Sequence, residues 1–165
     1  RGKEFEVLSA ESQTARDIFS ATPTSTLTSA PVESSAELIS NPIIENDADN
    51  LYIQFEFSGD VSSYNGFQVL LDTDQNIQTG MSIEGIGADF LLENDTFNSY
   101  TGSGSDWTWS PVEAELIFTN DNQIAKWSLS RAVLDDSENI DFFFQLVNTS
   151  WDALFDTSKQ TYIFK

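Results

Sequence analysis

Short runs of alternating apolar and polar residues recur along the chain from about residue 38 onwards. In the clearest run, Leu51, Ile53, Phe55 and Phe57 alternate with more polar residues. A period of two places these four apolar side chains on one face of a β-strand. Further strand-like runs cover residues 67–71, 88–92, 97–101, 112–118, 125–129, 140–147 and 162–164.

The runs are short, and turn residues separate them. They predict about eight to ten strands and an all-β fold, an antiparallel two-sheet β-sandwich that is jelly-roll-like and has little helix. The first apolar residues are Leu38-Ile39 and Ile43-Ile44, and Pro42 between them predicts an edge strand or a bulge. Ser130 is the predicted N-cap of one helical turn.

The length of 165 residues suits one domain. We assign residues 38–165 to the sandwich. Residues 1–37, which are rich in Ser, Thr, Ala and Pro after residue 20, are predicted to form an N-terminal arm or edge strand packed on it.

Composition excludes several kinds of chemistry. The chain has no cysteine and no histidine, so disulfides, thiolate nucleophiles and Ser-His-Asp catalysis are ruled out. Seven basic residues against 27 acidic ones give a net charge of −20. Such a charge disfavours nucleic acid and anionic membranes as partners, and it suits either cation binding or solubility alone. No run is long enough for a membrane span, so membrane insertion is not expected.

An acceptor-rich loop follows the run at residues 67–71. Asp72, Asp74 and Asn76 stand at alternate positions, and Asp89 follows after a Gly-Ala pair. Carboxylate and carbonyl oxygens are the ligands that Ca²⁺ takes, six to eight at a time. We therefore predict a calcium site formed by these four residues and backbone carbonyls.

The loop is not an EF-hand, because Ile77 stands where that loop needs glycine and Ile83 where it needs glutamate. The alternative is an ordinary acidic turn, since carboxylates cluster by chance in a chain this acidic. Without a cation, however, like-charge repulsion would oppose bringing Asp72, Asp74 and Asp89 together.

Aromatic residues near a Gly/Ser loop are the candidate ligand-binding residues. The flat face of a tryptophan can stack on the apolar face of a pyranose, and Trp107 and Trp109 would share a face if both lay in one strand. Tyr100 is close in sequence, and Trp151 lies in a polar segment after an apolar strand. The alternative is that the tryptophans fill the core, as Trp127 is expected to do.

Four motifs occur in an order that is typical of one group of β-sandwiches: residues 49–53, residues 67–74, the segment from Thr79 to Phe90, and Trp107-Thr108-Trp109 followed by the strand at 125–129. This order resembles the family 9 carbohydrate-binding modules and the broader DOMON-like β-sandwiches over about residues 38–147. The resemblance implies a two-sheet sandwich, mostly non-catalytic, that binds sugars and often carries structural calcium. The haem-binding branch is excluded because the chain has no histidine and one methionine.

The expected function is therefore that of a non-catalytic, calcium-stabilised carbohydrate-binding module of a larger secreted or cell-surface protein, with a poly- or oligosaccharide as its partner. The alternative is a calcium-binding structural or adhesion module without a sugar site. A hydrolase would need two converging carboxylates, for which Glu113 with Glu115, or Asp135 with Asp136, are the candidates. Composition alone produces such pairs, so we do not expect an enzyme.

Overall fold

The computed structural model describes residues 37–134, 137–155 and 158–165. The arm predicted for the N-terminal residues lies outside this range up to residue 36, and so does the acidic pair at 135 and 136. The described residues form thirteen strands and two short 3-10 turns, Val61–Ser63 and Arg131–Val133. The strands are β1 (Ile39–Asn46), β2 (Asn50–Phe57), β3 (Tyr64–Asp72), β4 (Met81–Ile83), β5 (Ile86–Ala88), β6 (Phe90–Glu93), β7 (Thr96–Tyr100), β8 (Trp109–Pro111), β9 (Leu116–Asp121), β10 (Ile124–Ser130), β11 (Asn139–Asn148), β12 (Ala153–Phe155) and β13 (Gln160–Ile163).

The strands build two main sheets and one hairpin, and every pairing is antiparallel. The small sheet has the order β1-β2-β10-β9, and the large sheet has the order β12-β11-β3-β6-β7-β8, with β13 also paired to β11. The hairpin is β4-β5. The predicted all-β sandwich is therefore confirmed.

The core lies between the two sheets and is lined by the apolar positions of each strand. Phe55 of β2 is fully buried, and its ring centroid lies 5.6 Å from that of Trp127 and 5.0 Å from that of Phe144. Phe144 belongs to the large sheet, so this aromatic group joins both layers. Trp127 fills the core as predicted, and its indole N–H donates to the carbonyl of Asn94 at 2.9 Å.

A second, smaller apolar cluster lies on the other face of the large sheet. Leu70, Leu91 and Phe143 project from β3, β6 and β11, and the β4-β5 hairpin covers them with Met81 and Ile86. This cluster explains why β3 and β11 are apolar on both faces over part of their length, whereas the alternating strands of the small sheet are not. The cluster also holds the β4-β5 hairpin, which follows the acidic loop, against the large sheet.

Two predicted strands are interrupted. The run at 88–92 breaks at Asp89, between β5 and β6. In the run at 112–118 the strand begins only at Leu116. The residues before it cross from the large sheet to the small sheet. The backbone N–H of Val112 still bonds to Phe97 of β7 at 2.8 Å, whereas Leu116 already pairs with Leu129 of β10.

The first strand and the helical turn match their local signals in part. Strand β1 is an edge strand, and its register shifts between Ser40 and Ile43, where Asn41 has φ of +48°. Residues Arg131–Val133 form the expected turn, but it is a 3-10 turn, and the side chain of Ser130 makes no capping hydrogen bond. Within the described residues, no helical element has the length and apolar character needed to cross a membrane.

The core arrangement predicts the result of removing its central ring. We expect Phe55→Ala to lower the free energy of unfolding by about 3–5 kcal/mol, because it leaves a cavity between the two sheets. Ile117→Ala is the matched control: this side chain is 68% exposed, and its loss should change stability by less than about 0.5 kcal/mol. Urea unfolding measures both, and equal losses would contradict the assigned core.

Candidate functional site

Three aspartates converge where β3 ends. Asp72 is the last residue of β3, Asp74 lies in the loop that follows, and Asp89 stands between β5 and β6. Each offers one carboxylate oxygen, and the three oxygens lie within 4.8 Å of one another. The backbone brings Asp89 close: its N–H bonds to Leu71 of β3 at 2.8 Å, and its carbonyl accepts the N–H of Tyr100 of β7 at 2.8 Å.

Hydrogen bonds orient all three carboxylates. Oδ2 of Asp72 accepts the N–H of Gly87 at 3.0 Å. Oδ2 of Asp89 accepts both the N–H and the hydroxyl of Thr73 at 2.9 Å. Both oxygens of Asp74 lie 2.9 Å from the hydroxyl of Thr79. The three carboxylates are thus held in place by neighbours that carry no negative charge.

The carboxylate of Asp72 is buried and incompletely hydrogen-bonded. Its side chain is 1% exposed, and its Oδ1 has no hydrogen-bond partner among the described residues. Burial raises the pKa of Asp72 above its usual value, and the negative charges of Asp89 and Asp74 raise it further, against the opposing effect of the Gly87 N–H. Burial likewise raises the pKa of Asp89. A cation beside Oδ1 of Asp72 would bind this oxygen and offset the repulsion between the three carboxylates, so the cluster could hold a metal ion.

The fourth predicted ligand, Asn76, has other partners in this structure. Its Oδ1 accepts the N–H of Gln78 at 3.1 Å, and its carbonyl accepts the N–H and the hydroxyl of Thr79. These bonds shape the loop from within. Metal ligation by Asn76 therefore stays a prediction.

Gly87 is required by the close approach of the loop. A Cβ on Gly87 would lie 2.1 Å from the carbonyl oxygen of Thr79 and 2.4 Å from that of Asn76. Only a residue without a side chain allows the loop backbone to pass here while the N–H of Gly87 reaches Asp72. The glycine before Ala88-Asp89 is thus a part of the site that reading for acidic residues alone does not assign.

A polar network anchors the other side of the loop. Asp141 of β11, 2% exposed, accepts hydrogen bonds from Gln75 at 3.0 Å and from Thr161, and it forms an ion pair with Lys159. Asp141 is paired with Asp72 in the β11-β3 register. This network could not be predicted from the sequence, because its members come from three separate segments and no local signal reveals it.

The aromatic candidates divide into a packed pair and an exposed pair. Trp109 is half-buried, and its ring lies edge-on to Tyr100, with centroids 5.3 Å apart, against the second apolar cluster. Trp107 is 48% exposed and Trp151 is 69% exposed. The exposed pair comes from distant segments of the chain.

Trp107 and Trp151 line one cleft on the outer face of the large sheet. The cleft has a volume of about 440 Å³, within the range of roughly 300–1,000 Å³ that is typical of ligand sites. Gln68, Glu93 and Gln145 contribute its polar lining, and its remaining lining residues are Ile83, Val147 and Ala153.

The polar residues of the lining form a row across three strands. Gln145 pairs with Gln68 in the β11-β3 register, and Gln68 pairs with Glu93 in the β3-β6 register. Nε2 of Gln145 donates to Oε1 of Gln68 at 2.7 Å. Oε1 of Gln145 is buried without a partner among the described residues. The two glutamines therefore lie under the cleft surface, and Glu93 is the most exposed polar residue of the row.

The loop that carries Trp151 is built around Asn148. Its Oδ1 accepts the N–H of Ser150 at 2.8 Å and that of Asp152 at 2.9 Å, and its carbonyl accepts the N–H of Trp151. Trp151 has φ of +66°, a conformation that is uncommon for a residue with a side chain. The tight turn thus holds the indole of Trp151 in solvent, although exposing an apolar ring to water is unfavourable.

The loop that carries Trp107 is attached to the β4-β5 hairpin. The carbonyl of Gly104 accepts the N–H of Ser82 at 2.8 Å and the hydroxyl of Tyr100 at 3.2 Å. Strand β4 begins directly after the acidic loop. One covalent and hydrogen-bonded path therefore runs from the three aspartates to the wall of the cleft.

The expected arrangement of Trp107 and Trp109 is corrected by this geometry. Trp107 precedes β8 and lies outside any strand, so the two residues do not share a strand face. Their rings are 5.7 Å apart at an interplanar angle of 72°, which excludes a coplanar two-ring platform. Trp109 packs edge-on against Trp107, and the other exposed indole that lines the cleft is that of Trp151.

Comparison of the chain with protein-family models, curated proteins and solved structures finds no match. The resemblance to family 9 carbohydrate-binding modules therefore stays a prediction, and the assignment of function depends on the site itself.

The network around Asp141 predicts a pH-dependent contribution to stability. Burial alone would raise the pKa of Asp141, but the bonds from Lys159, Thr161 and Gln75 outweigh it and hold the pKa below its usual 3.8. A depressed carboxyl pKa stabilises the fold above the unfolded-state pKa, and this stabilisation is lost as the pH falls through the folded-state value. We expect Asp141→Asn to cost about 1–3 kcal/mol at neutral pH.

Urea unfolding of wild type and variant between pH 7 and acidic pH measures this difference, which should shrink once the pH falls below about 4. Asp121→Asn, at an exposed position, is the control and should change stability by less than about 0.5 kcal/mol. A difference that stays constant across the pH range would contradict the assigned network.

Proposed function

We propose that this domain is a non-catalytic, calcium-stabilised carbohydrate-binding module of a secreted or cell-surface protein. The observation that carries the proposal is the cleft with Trp107 and Trp151 on its walls and Gln68, Glu93 and Gln145 in its lining. Exposed indoles cost free energy in water, and a sugar ring would cover their faces. The amides and the carboxylate beside them suit its hydroxyl groups.

The carboxylates near the cleft favour binding over catalysis. Glycoside hydrolysis usually requires two carboxyl groups on either side of the scissile bond, and among the residues that line the cleft Glu93 alone carries one. Glu113 and Glu115, the pair considered from the sequence, are exposed in the segment between β8 and β9 and do not line the cleft.

Calcium is the metal that best suits the aspartate cluster. The donors are hard carboxylate oxygens from three separate positions of the backbone. Ca²⁺ accepts such donors in irregular geometry, whereas Mg²⁺ requires a near-ideal octahedron. Asp72, Asp74 and Asp89 would each supply an oxygen. We assign the ion a structural role, because the path from the loop through Ser82 to Gly104 reaches the segment that carries Trp107.

A structural or adhesion module without a sugar site is the second candidate. It is supported by the same aspartate cluster, which joins the ends of β3 and β5 without using the cleft. The two candidates agree on calcium and differ on glycans, so binding measurements separate them.

The calcium assignment predicts a metal-dependent melting temperature. At a free Ca²⁺ concentration 100 times the dissociation constant, the folded state should gain about 2.7 kcal/mol over the chelated protein. We expect Asp72→Asn to abolish the shift, because it removes the buried charge. Asp95→Asn, at an exposed position outside the cluster, should retain it. A melting temperature that chelator does not change, with metal removal verified by elemental analysis, would refute the calcium site.

The cleft assignment predicts that both exposed indoles are needed for binding. On a glycan that binds the wild type, we expect Trp107→Ala and Trp151→Ala each to weaken affinity by at least about tenfold, or about 1.4 kcal/mol. Ile117→Ala, on the small sheet, is the matched control and should bind normally. Isothermal titration calorimetry across a broad panel of polysaccharides tests this, and a folded wild type that binds none of them would refute the sugar site.

A further inference from the structure

The cleft contains a single ionisable side chain, and that side chain is acidic. Glu93 lies at the end of β6, next to Gln68 in the row of polar lining residues. The other residues that line the cleft are amides, aromatic residues and aliphatic residues. The net charge of the cleft lining is therefore determined by Glu93.

The basic side chains of the described residues lie elsewhere. Lys126 is on the outer face of the small sheet, Arg131 stacks over Phe164, and Lys159 is paired with Asp141. Lys165 ends the chain and does not line the cleft. No cation of the described residues can thus compensate a negative ligand in this cleft.

An anionic group in the cleft would meet Glu93 in partly dehydrated surroundings. Coulomb repulsion between two such charges increases as the local dielectric constant falls, and juxtaposed like charges select against the wrong partner. The net charge of −20 adds a long-range repulsion of the same sign. Hydroxyl and ammonium groups, in contrast, are donors and suit the carboxylate of Glu93.

We infer that the cleft selects glycans by charge: it accepts neutral or amino sugars and rejects uronic acids, and Glu93 is the residue that determines this selectivity. The inference rests on the proposed carbohydrate-binding function and assigns the substrate class of the same cleft. It requires only that a ligand ring between the two tryptophans brings its substituents towards the row of polar lining residues.

The experiment uses three hexasaccharides with one β-1,4-linked gluco backbone: cellohexaose, its C6-oxidised uronate, and the glucosamine hexamer. Their rings present the same stacking faces and differ in charge. Should the glycan panel identify another backbone, its neutral, C6-carboxylate and amino forms replace these three. Affinities are measured by calorimetry at about 10 mM and about 150 mM ionic strength, where the screening lengths are about 30 Å and 8 Å.

We expect the wild type to bind the uronate at least about tenfold more weakly than the neutral sugar at low salt, with a smaller gap at high salt. Glu93→Gln should reduce the gap to less than about threefold at low salt. Asp95→Asn is the matched control, because it removes the same charge two residues away, outside the cleft, and it should keep the gap.

The outcomes separate the inference from its premise. If the wild type binds the uronate as tightly as the neutral sugar, or if Glu93→Gln and Asp95→Asn give equal gaps, the charge selectivity is refuted while carbohydrate binding stands. If no glycan of any charge binds, the proposed function fails and the inference fails with it.

Discussion

The antiparallel pairing of β3 with β11 is the interaction on which the rest of the structure depends. On one side of this pair, Phe67, Val69 and Leu71 face Phe144 and its neighbours in the core. On the other side, the same two strands carry the second apolar cluster, the paired glutamines of the cleft and the Asp72-Asp141 pair. A register shift of one residue would exchange these faces, and it would move the glutamines into the core and the phenylalanines into the cleft.

Local patterns were sufficient for the longer strands and for the position of the acidic loop, but not for the short strands β4 and β12 or for the break at Asp89. The alternation in Leu51–Phe57 requires a strand with one buried face, and the spacing of Asp72 and Asp74 indicated a group of oxygens that could hold a metal ion. What could not be predicted depends on contacts between distant segments. Nothing near Trp151 shows that it lines the same cleft as Trp107, because the strands beside them, β12 and β8, are at opposite edges of the large sheet. The loop that carries Trp107 is instead attached to the β4-β5 hairpin through Gly104 and Ser82. Asp141 and Lys159 meet Gln75 because β11 pairs with both β3 and β13.

The carboxylates of this protein differ in their surroundings in a way that the composition does not show. Most carboxylates are on the surface, where water screens them, but Asp72 and Asp141 are buried side by side at the end of the central strand pair. Asp141 is balanced by Lys159, whereas Asp72 is approached by two further aspartates. One of these two adjacent buried carboxylates therefore belongs to a structural ion pair, and the other belongs to a cluster that could hold a metal ion.

The pleat of the large sheet separates the positions that fill the core from the positions that line the cleft. Gln68, Glu93 and Gln145 alternate along their strands with the residues of the main core. The two tryptophans stand on turns, outside the strands. Gln68 and Gln145 are buried and hydrogen-bonded to each other, so the substitutions that leave the interior the same are those at Glu93, Trp107 and Trp151. The surface of the cleft can therefore be varied at these three positions with little loss of foldability.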